Sequence, residues 1–472
     1  MSRALPSLSR VEYRSESGQA MVLGLMLVSL GGLGWALSYY IGNIVHDKVS
    51  LVRATDASVL SVATLQARTL NLHAYLNRAQ LAHQLAMIHL VTLASHERFR
   101  ATQAKQSLRM NPPAFLIGMF FGPTYAASYM ASQSGLADDY LAIQNLATVF
   151  KKHDQVIREV LEQARQNISS EINSIRIQTL EKILINNVGR SGSSLRGQSL
   201  AQLGLSYAIE RDDFRDGIKS FSTQSPVWDN IFKQVIDPYG YLKPRHATRE
   251  NIWAVNIRCP HKRHELRRRG HTHAHANGTY QSDDTISFHA VRSNRIIGCY
   301  QREYPMGWAE ISTSAQKSSL LADKLDNTTD KSTDATNQSF SKQSFWRWVK
   351  SQGIPGWDII NGSANSLAAS WSAGKKISWQ SSPHLRFMDI DSTPSGFRFD
   401  IKTAKSVAIL NQSKNKSSFT PRFNFLRLDS TDRLTAQSSS LTYFSRPSAR
   451  KDSRQERPNL FHPYWHARLV NQ

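Results

Sequence analysis

The chain has 472 residues, with 58 Lys and Arg against 36 Asp and Glu, a net charge of +22, and two cysteines. Two cysteines outside any Cys-x-x-Cys spacing give no basis for a zinc ribbon or a thioredoxin-like redox centre. The positive balance is an argument about partners; without a nucleic-acid reader motif it points to anionic lipids or envelope polymers, with no nucleic acid expected.

Residues 1–19 form a short leader carrying Arg3, Arg10 and Arg14, and residues 20–41 follow without a charged side chain. As a helix those 22 residues reach roughly 33 Å, enough to cross a hydrocarbon core of about 30 Å. A cleaved signal peptide has a shorter apolar region and small residues at its cleavage site. Here Trp35, Tyr39 and Tyr40 occupy the far end, so an uncleaved transmembrane helix is expected. The three leading arginines, against Lys48 and Arg53 behind, orient it with the N-terminus cytoplasmic and the bulk outside.

From Asp47 to Leu108 there is no proline or glycine, and Leu51, Ala54, Ala57, Leu60, Ala67, Leu70, Ala74, Leu81, Leu85, Ile88 and Val91 recur at helical spacing. A second run, Asp138 to Asn187, carries a narrower stripe at Ile143, Leu146, Phe150, Ile157, Val160, Ala164, Ile168, Ile172 and Ile175. The spacing predicts a long antiparallel helical hairpin over residues 42–188, broken at Asn111-Pro112-Pro113. Its tip, 110–137, is uncharged, but prolines and polar residues leave its apolar core too short for a second span. The tip is expected to bury itself in a partner or to dip into a membrane.

The stretch Gly18-Gln19-Ala20-Met21-Val22, an apolar helix ending Gly34-Trp35-Ala36-Leu37-Ser38-Tyr39, and then Lys48-Val49-Ser50-Leu51-Val52-Arg53-Ala54-Thr55-Asp56-Ala57 resembles the N-terminal region of TadG-like (TadE/TadG-type) proteins of Flp, or tight-adherence, pilus assembly systems. The likeness covers about 50 residues. It implies a bacterial inner-membrane protein with a large periplasmic part and other pilus-assembly proteins as partners. It singles out Gly18, Gln19, Trp35, Arg53 and Asp56. Val22 and Leu23 stand where a processed pseudopilin carries a glutamate, so the likeness is to unprocessed members. No Asp-x-Ser-x-Ser adhesion signature follows. The small residues Gly31 and Gly34 also suit close helix packing in lipid.

Residues 189–202 read as a linker. A β-rich domain is expected over 203–311, with strands at Ile252–Ile257 and Thr285–Val291. Cys259 and Cys299, 40 residues apart, suit one disulfide in an oxidising compartment. Residues 312–344 have the composition of a disordered linker. The basic region 345–472 holds Trp346, Trp348, Trp357, Trp371 and Trp379 and alternating runs at Leu385–Ile390 and Phe397–Ile401, which would complete the same β-structure. Its aromatic segments at Tyr443-Phe444 and Leu460–Trp465 are expected to dock within the molecule. The fold class is therefore α+β.

His261, His264, His271, His273, His275 and His289 invite a metal reading, but Arg258, Lys262, Arg263, Arg267, Arg268 and Arg269 surround them with positive charge. A solvated basic loop facing an anionic partner is expected, with no metal and no cofactor. Asp283-Asp284, His289 and the serines Ser282 and Ser287 lack the glycines of a nucleophile elbow, so no catalysis is expected. A structural or assembly component is favoured over a membrane-anchored sensor, whose output domain would not fit in the residues ahead of the anchor.

Overall fold

Helix α1 (Ser17–Leu108) runs without interruption for 92 residues, about 138 Å at the usual rise. It stops at Asn111-Pro112-Pro113, where proline removes the amide that a continuing helix needs. The computed structural model describes residues 17–134, 139–188, 199–296, 298–314, 345, 376–381, 386–390, 396–406, 433–448 and 456–471. The leader ahead of Ser17, most of the linker expected at 189–202, the segment 315–344 and Trp346, Trp348, Trp357 and Trp371 lie outside the described residues.

Helix α4 (Asp139–Val188) lies along α1. Leu180 and Leu184 share an apolar cluster with Ala54, Val59 and Val62. Further along α1, Ile172 packs in a cluster with Ala67 and Leu70, and Phe150 in one with Leu81, Ile88 and Val91. As residue numbers rise on α1 they fall on α4, so the two helices run in opposite directions. Between these clusters, Asp154 of α4 accepts from Arg158 at 2.7 Å and pairs with His83 of α1 at 2.9 Å, all three being buried.

The β-structure is laid along α1 instead of following the helices as a separate module. Nearest the apolar segment is a four-stranded antiparallel sheet, in the order β1 (Leu205–Asp212), β9 (Phe397–Ser406), β10 (Arg433–Phe444) and β11 (Trp465–Val470). Midway is a pair, β2 (Ile218–Ser222) with β8 (Arg386–Ile390). Farthest out is a five-stranded sheet, β3 (Ala247–Glu250), β4 (Glu265–Ala274), β5 (Tyr280–Asn294), β6 (Gly298–Ser314) and β7 (Ile377–Gln380). Strand β7 joins β6 in parallel, so the region beyond residue 345 completes the earlier β-structure, as its alternation suggests. Helix α5 (Pro226–Ile236) buries Trp228 and Phe232 against this assembly.

Polar side chains on α1 fix the sheets in place. Thr55 meets Thr403 at 2.6 Å. Asn71 exchanges two bonds of 3.0 Å with the backbone of Trp465. Asn77 donates to the carbonyls of Met388 and Leu460 at 2.6 and 2.7 Å, and Thr102 donates to that of Trp308 at 2.8 Å. Each buried hydroxyl or amide is thereby spared the cost of an unmade bond. Leu460, Phe461 and Trp465 are buried, so the C-terminal aromatics do dock within the molecule. Gly396, at φ +106°, lies against the backbone of Thr442 where a side chain has no room.

Two expectations change. The tip forms the short helices α2 (Ala114–Phe121) and α3 (Pro123–Ala131), which bury Ala114, Ile117, Phe121 and Tyr129 against Leu266, Phe288, Tyr304 and Met306 of the five-stranded sheet. Its apolar residues thus find cover in their own molecule, although Phe115, Met119 and Met130 stay exposed. The run Ile252–Ile257 is not a strand, and Ile252 and Ile257 are 87% and 98% exposed. Asn251 donates to the carbonyl of Trp253 and accepts from the amide of His264, both at 2.6 Å, and Asn256 accepts from the amide of Arg258 at 2.9 Å. Such local side-chain bonds compete with a strand ladder.

Candidate functional site

The first quarter of α1 is unlike the rest. Met21, Leu25, Leu27 and Val28 are 75%, 68%, 61% and 76% exposed, and nothing in the apolar window is covered by protein. Among the described residues, α1 is the one helix long and apolar enough to cross a membrane. Its few polar groups are satisfied internally, with Ser29 and Ser38 donating to the carbonyls of Leu25 and Gly34 at 2.8 and 2.9 Å. Gly31 and Gly34 face open space. Trp35 stacks on Tyr39 with centroids 6.2 Å apart, near the end where an interfacial aromatic belt belongs. Gly18 and Gln19 form the first turns of the same helix.

Protein cover begins between Asp47 and Leu51. Asp47 pairs with Lys405 at 3.7 Å, Lys48 donates to the carbonyl of Thr435, and Leu51 is fully buried. Arg53 is exposed and Asp56 half-buried, just past this boundary.

The second candidate is the basic segment. It is not a loop, because residues 265–274 are strand β4. Alternation divides the arginine run between the two faces of the sheet. Arg268 lies over the ring of Phe99 of α1, 5.6 Å from its centroid. Arg267 pairs with Glu265 and donates to Gln301 at 3.1 Å, and Arg269 donates to Thr248 at 3.0 Å. In the preceding turn Lys262 donates to the carbonyl of Cys299 at 3.0 Å and Arg263 to that of Pro260 at 2.6 Å. A disulfide joins Cys259 to Cys299 with Cα atoms 5.8 Å apart and ties this turn to β6. Arg258 is exposed beside it. The six basic residues therefore do not form one free patch, since most hold the sheet together.

Four of these histidines have lowered pKa values. Burial lowers His264 to about 4, aided by Arg292. Burial also takes His289 well below its ordinary value, with Arg267 and Arg269 acting in the same direction. His271 and His273, lowered mainly by burial, bring ring nitrogens within 2.8 Å of each other. Among the described residues no group of three His, Cys, Asp or Glu side chains is placed to hold a metal.

Ser287 and His289 are hydrogen-bonded at 3.0 Å and each is only 3% exposed, so the pair sits inside the sheet packing. Asp284 is gripped by Arg245 at 2.9 and 3.1 Å and accepts from Ser95 of α1 at 2.8 Å. Opposite it stands Gly270, where an added Cβ would lie 2.5 Å from the carboxylate. The cluster is a clasp between α1 and the sheet. Asp283, next to it, is pushed up to about 6 by burial and by Asp284.

The apolar stripe of the second run puts Arg158 and Arg165 on a face expected to be solvated, yet both are buried, and Arg165 with His73 lines a cavity between the helices and the β2–β8 pair. Sequence reasoning does not single out His73 or the Asn and Thr side chains of α1. Their only sequence signal is polar residues on a helix otherwise rich in Ala and Leu. Comparison of the chain with protein-family models, with curated proteins and with solved structures gives no match.

Proposed function

We propose that the chain is a membrane-anchored structural or assembly component of a Flp (Tad-type) pilus or a related secretion system. In this reading it sits single-pass in the bacterial inner membrane, its N-terminus cytoplasmic and its bulk periplasmic, and performs no catalysis. The observation that carries the proposal is the continuity of α1, whose exposed uncharged segment passes without a break into the helix around which the three sheets are organised. A joint of that kind transmits position and force from the bilayer to the folded part with no flexible hinge. Residues 42–108 extend it by about 100 Å, with α4 as the returning arm of a hairpin and the α2–α3 tip at the far end.

Two further features support the reading. The likeness to TadG-like proteins falls on residues 18–57, where lipid exposure gives way to protein cover. The disulfide between Cys259 and Cys299 suits an oxidising compartment. Partners in this scheme are other pilus-assembly proteins, with anionic lipids or envelope polymers at exposed cations such as Arg258. Deleting the gene is expected to abolish surface pili, and the tagged chain is expected to co-purify with inner-membrane pilus proteins. Normal pili in the deletion strain, together with the absence of any pilus protein in the pull-down, would overturn the proposal. A second reading, a membrane-anchored periplasmic ligand-binding protein, is favoured by one observation, the cavity beside His73 and Arg165.

A further inference from the structure

We propose that the cavity between α1, α4 and the β2–β8 pair binds a small amphipathic organic anion, a carboxylate or phosphate group carried on an apolar body. The argument starts from the buried arginines of α4. Arg158 is paired with Asp154 at 2.7 Å, and Arg176 with Asp212 at 2.5 Å. Arg165, midway between them and only 4% exposed, has no carboxylate within ion-pairing distance among the described residues. Its guanidinium donates to the carbonyl of Arg386 at 2.6 Å and to the side-chain oxygen of Gln80, and its Nε has no partner. Burial draws its pKa down to about 10, with Glu162 opposing the shift.

A buried cation without a counter-charge carries an uncompensated desolvation penalty, and a bidentate anion is the natural complement of a guanidinium. The space for one is present. The cavity has a volume of about 340 Å³ and is lined by Arg165 and His73, with Arg215 and Arg386 at its mouth and Phe214 and Met388 as apolar wall. That volume is at the lower end of the range for small-ligand sites, and mixed apolar walls with a few convergent polar groups are their usual lining. Three arginines face one carboxylate, Glu162, so the mouth favours negative charge. His73 is 1% exposed, is lowered to about 4 by burial and by Arg165, and keeps Nδ1 without a partner. It is therefore a neutral imidazole offering one more hydrogen bond at the inner wall.

The test uses the full chain in detergent micelles, titrated by calorimetry with 4-phenylbutyrate, phenyl phosphate and the neutral 4-phenylbutyramide. At least one anion is expected to bind one-to-one with a Kd below about 1 mM, and the amide at least about tenfold more weakly. The tighter anion identifies the head group. Arg165→Met is expected to weaken binding about tenfold or more. Should that variant fail to fold, the exposed Arg215→Ala and Arg386→Ala pair carries the test, with an expected loss of about threefold to tenfold. Absence of binding by both anions, equal binding of the amide, or unchanged affinity in a folded variant would each overturn the proposal. The result is independent of the pilus reading, which stands or falls on the deletion strain.

Discussion

Helix α1 contains two regions that follow opposite rules. Over residues 20–41 its large apolar side chains point outward and its hydroxyls bond back to its own backbone. Over residues 51–107 it buries Thr55, Ser58, Gln66, Asn77, Ser95 and Thr102, five of which reach strands. Both are ordinary helix, so the difference lies in what surrounds them. An apolar surrounding would offer no partner for a polar group, whereas the strands packed on α1 offer carbonyls and hydroxyls at defined positions. Polar side chains in the first region therefore turn back onto their own helix, and those in the second reach out to the strands.

That contrast can be broken from either side. Leu27→Arg places a charge at the centre of the exposed region, at a cost of about 2.5–3.5 kcal/mol on membrane-insertion scales. The expected outcome is transfer of the chain from the membrane fraction to the soluble fraction or to degradation, read by fractionation. Asn77→Leu makes the reverse change in the covered region. It leaves the carbonyls of Met388 and Leu460 buried without this donor, so a loss of about 2–3 kcal/mol is expected in chemical denaturation. Membrane association should be untouched.

A smaller effect, on the order of 1–2 kcal/mol, concerns pH. His73, lowered from 6.5 to about 4, stays neutral in the folded chain where the unfolded chain takes up a proton. Its contribution is complete above pH 6.5 and is lost as pH falls towards 4. Asp283, raised from 3.8 to about 6, works in the opposite sense, gaining stability as pH falls across the same window. The two contributions largely cancel, so relative to the unmodified chain the thermal midpoint is expected to fall less on acidification in His73→Gln and more steeply in Asp283→Asn. Identical pH profiles in both variants would remove these groups from the account.

Much of this was legible in the sequence. The uncharged segment, the helical spacing of 47–108 and 138–187, and the alternation at Thr285–Val291, Leu385–Ile390 and Phe397–Ile401 all mark elements that form. What escaped is relational. Arginines 267, 268 and 269 read as one patch until the period of a strand sends Arg268 to the opposite face, against Phe99. Ile252–Ile257 looks like a strand until Asn251 and Asn256 bond locally. His73, Arg165 and Arg386 are far apart in the chain, and only the reversal of α4 and the arrival of β8 bring them around one cavity. Apolar recurrence on α1 could not reveal the sheets, because the side chains that fix them are polar and read as solvated.

The bonds between Asn71 and Trp465 span 394 residues. During synthesis the exposed apolar segment and the whole of α1 emerge early, and the strand that satisfies Asn71 emerges hundreds of residues later. Throughout that interval a long helix carries side-chain amides whose strand partners have not yet been made. Closing contacts of such separation is slow, so the polar side chains of α1 stay without their strand partners until late in folding.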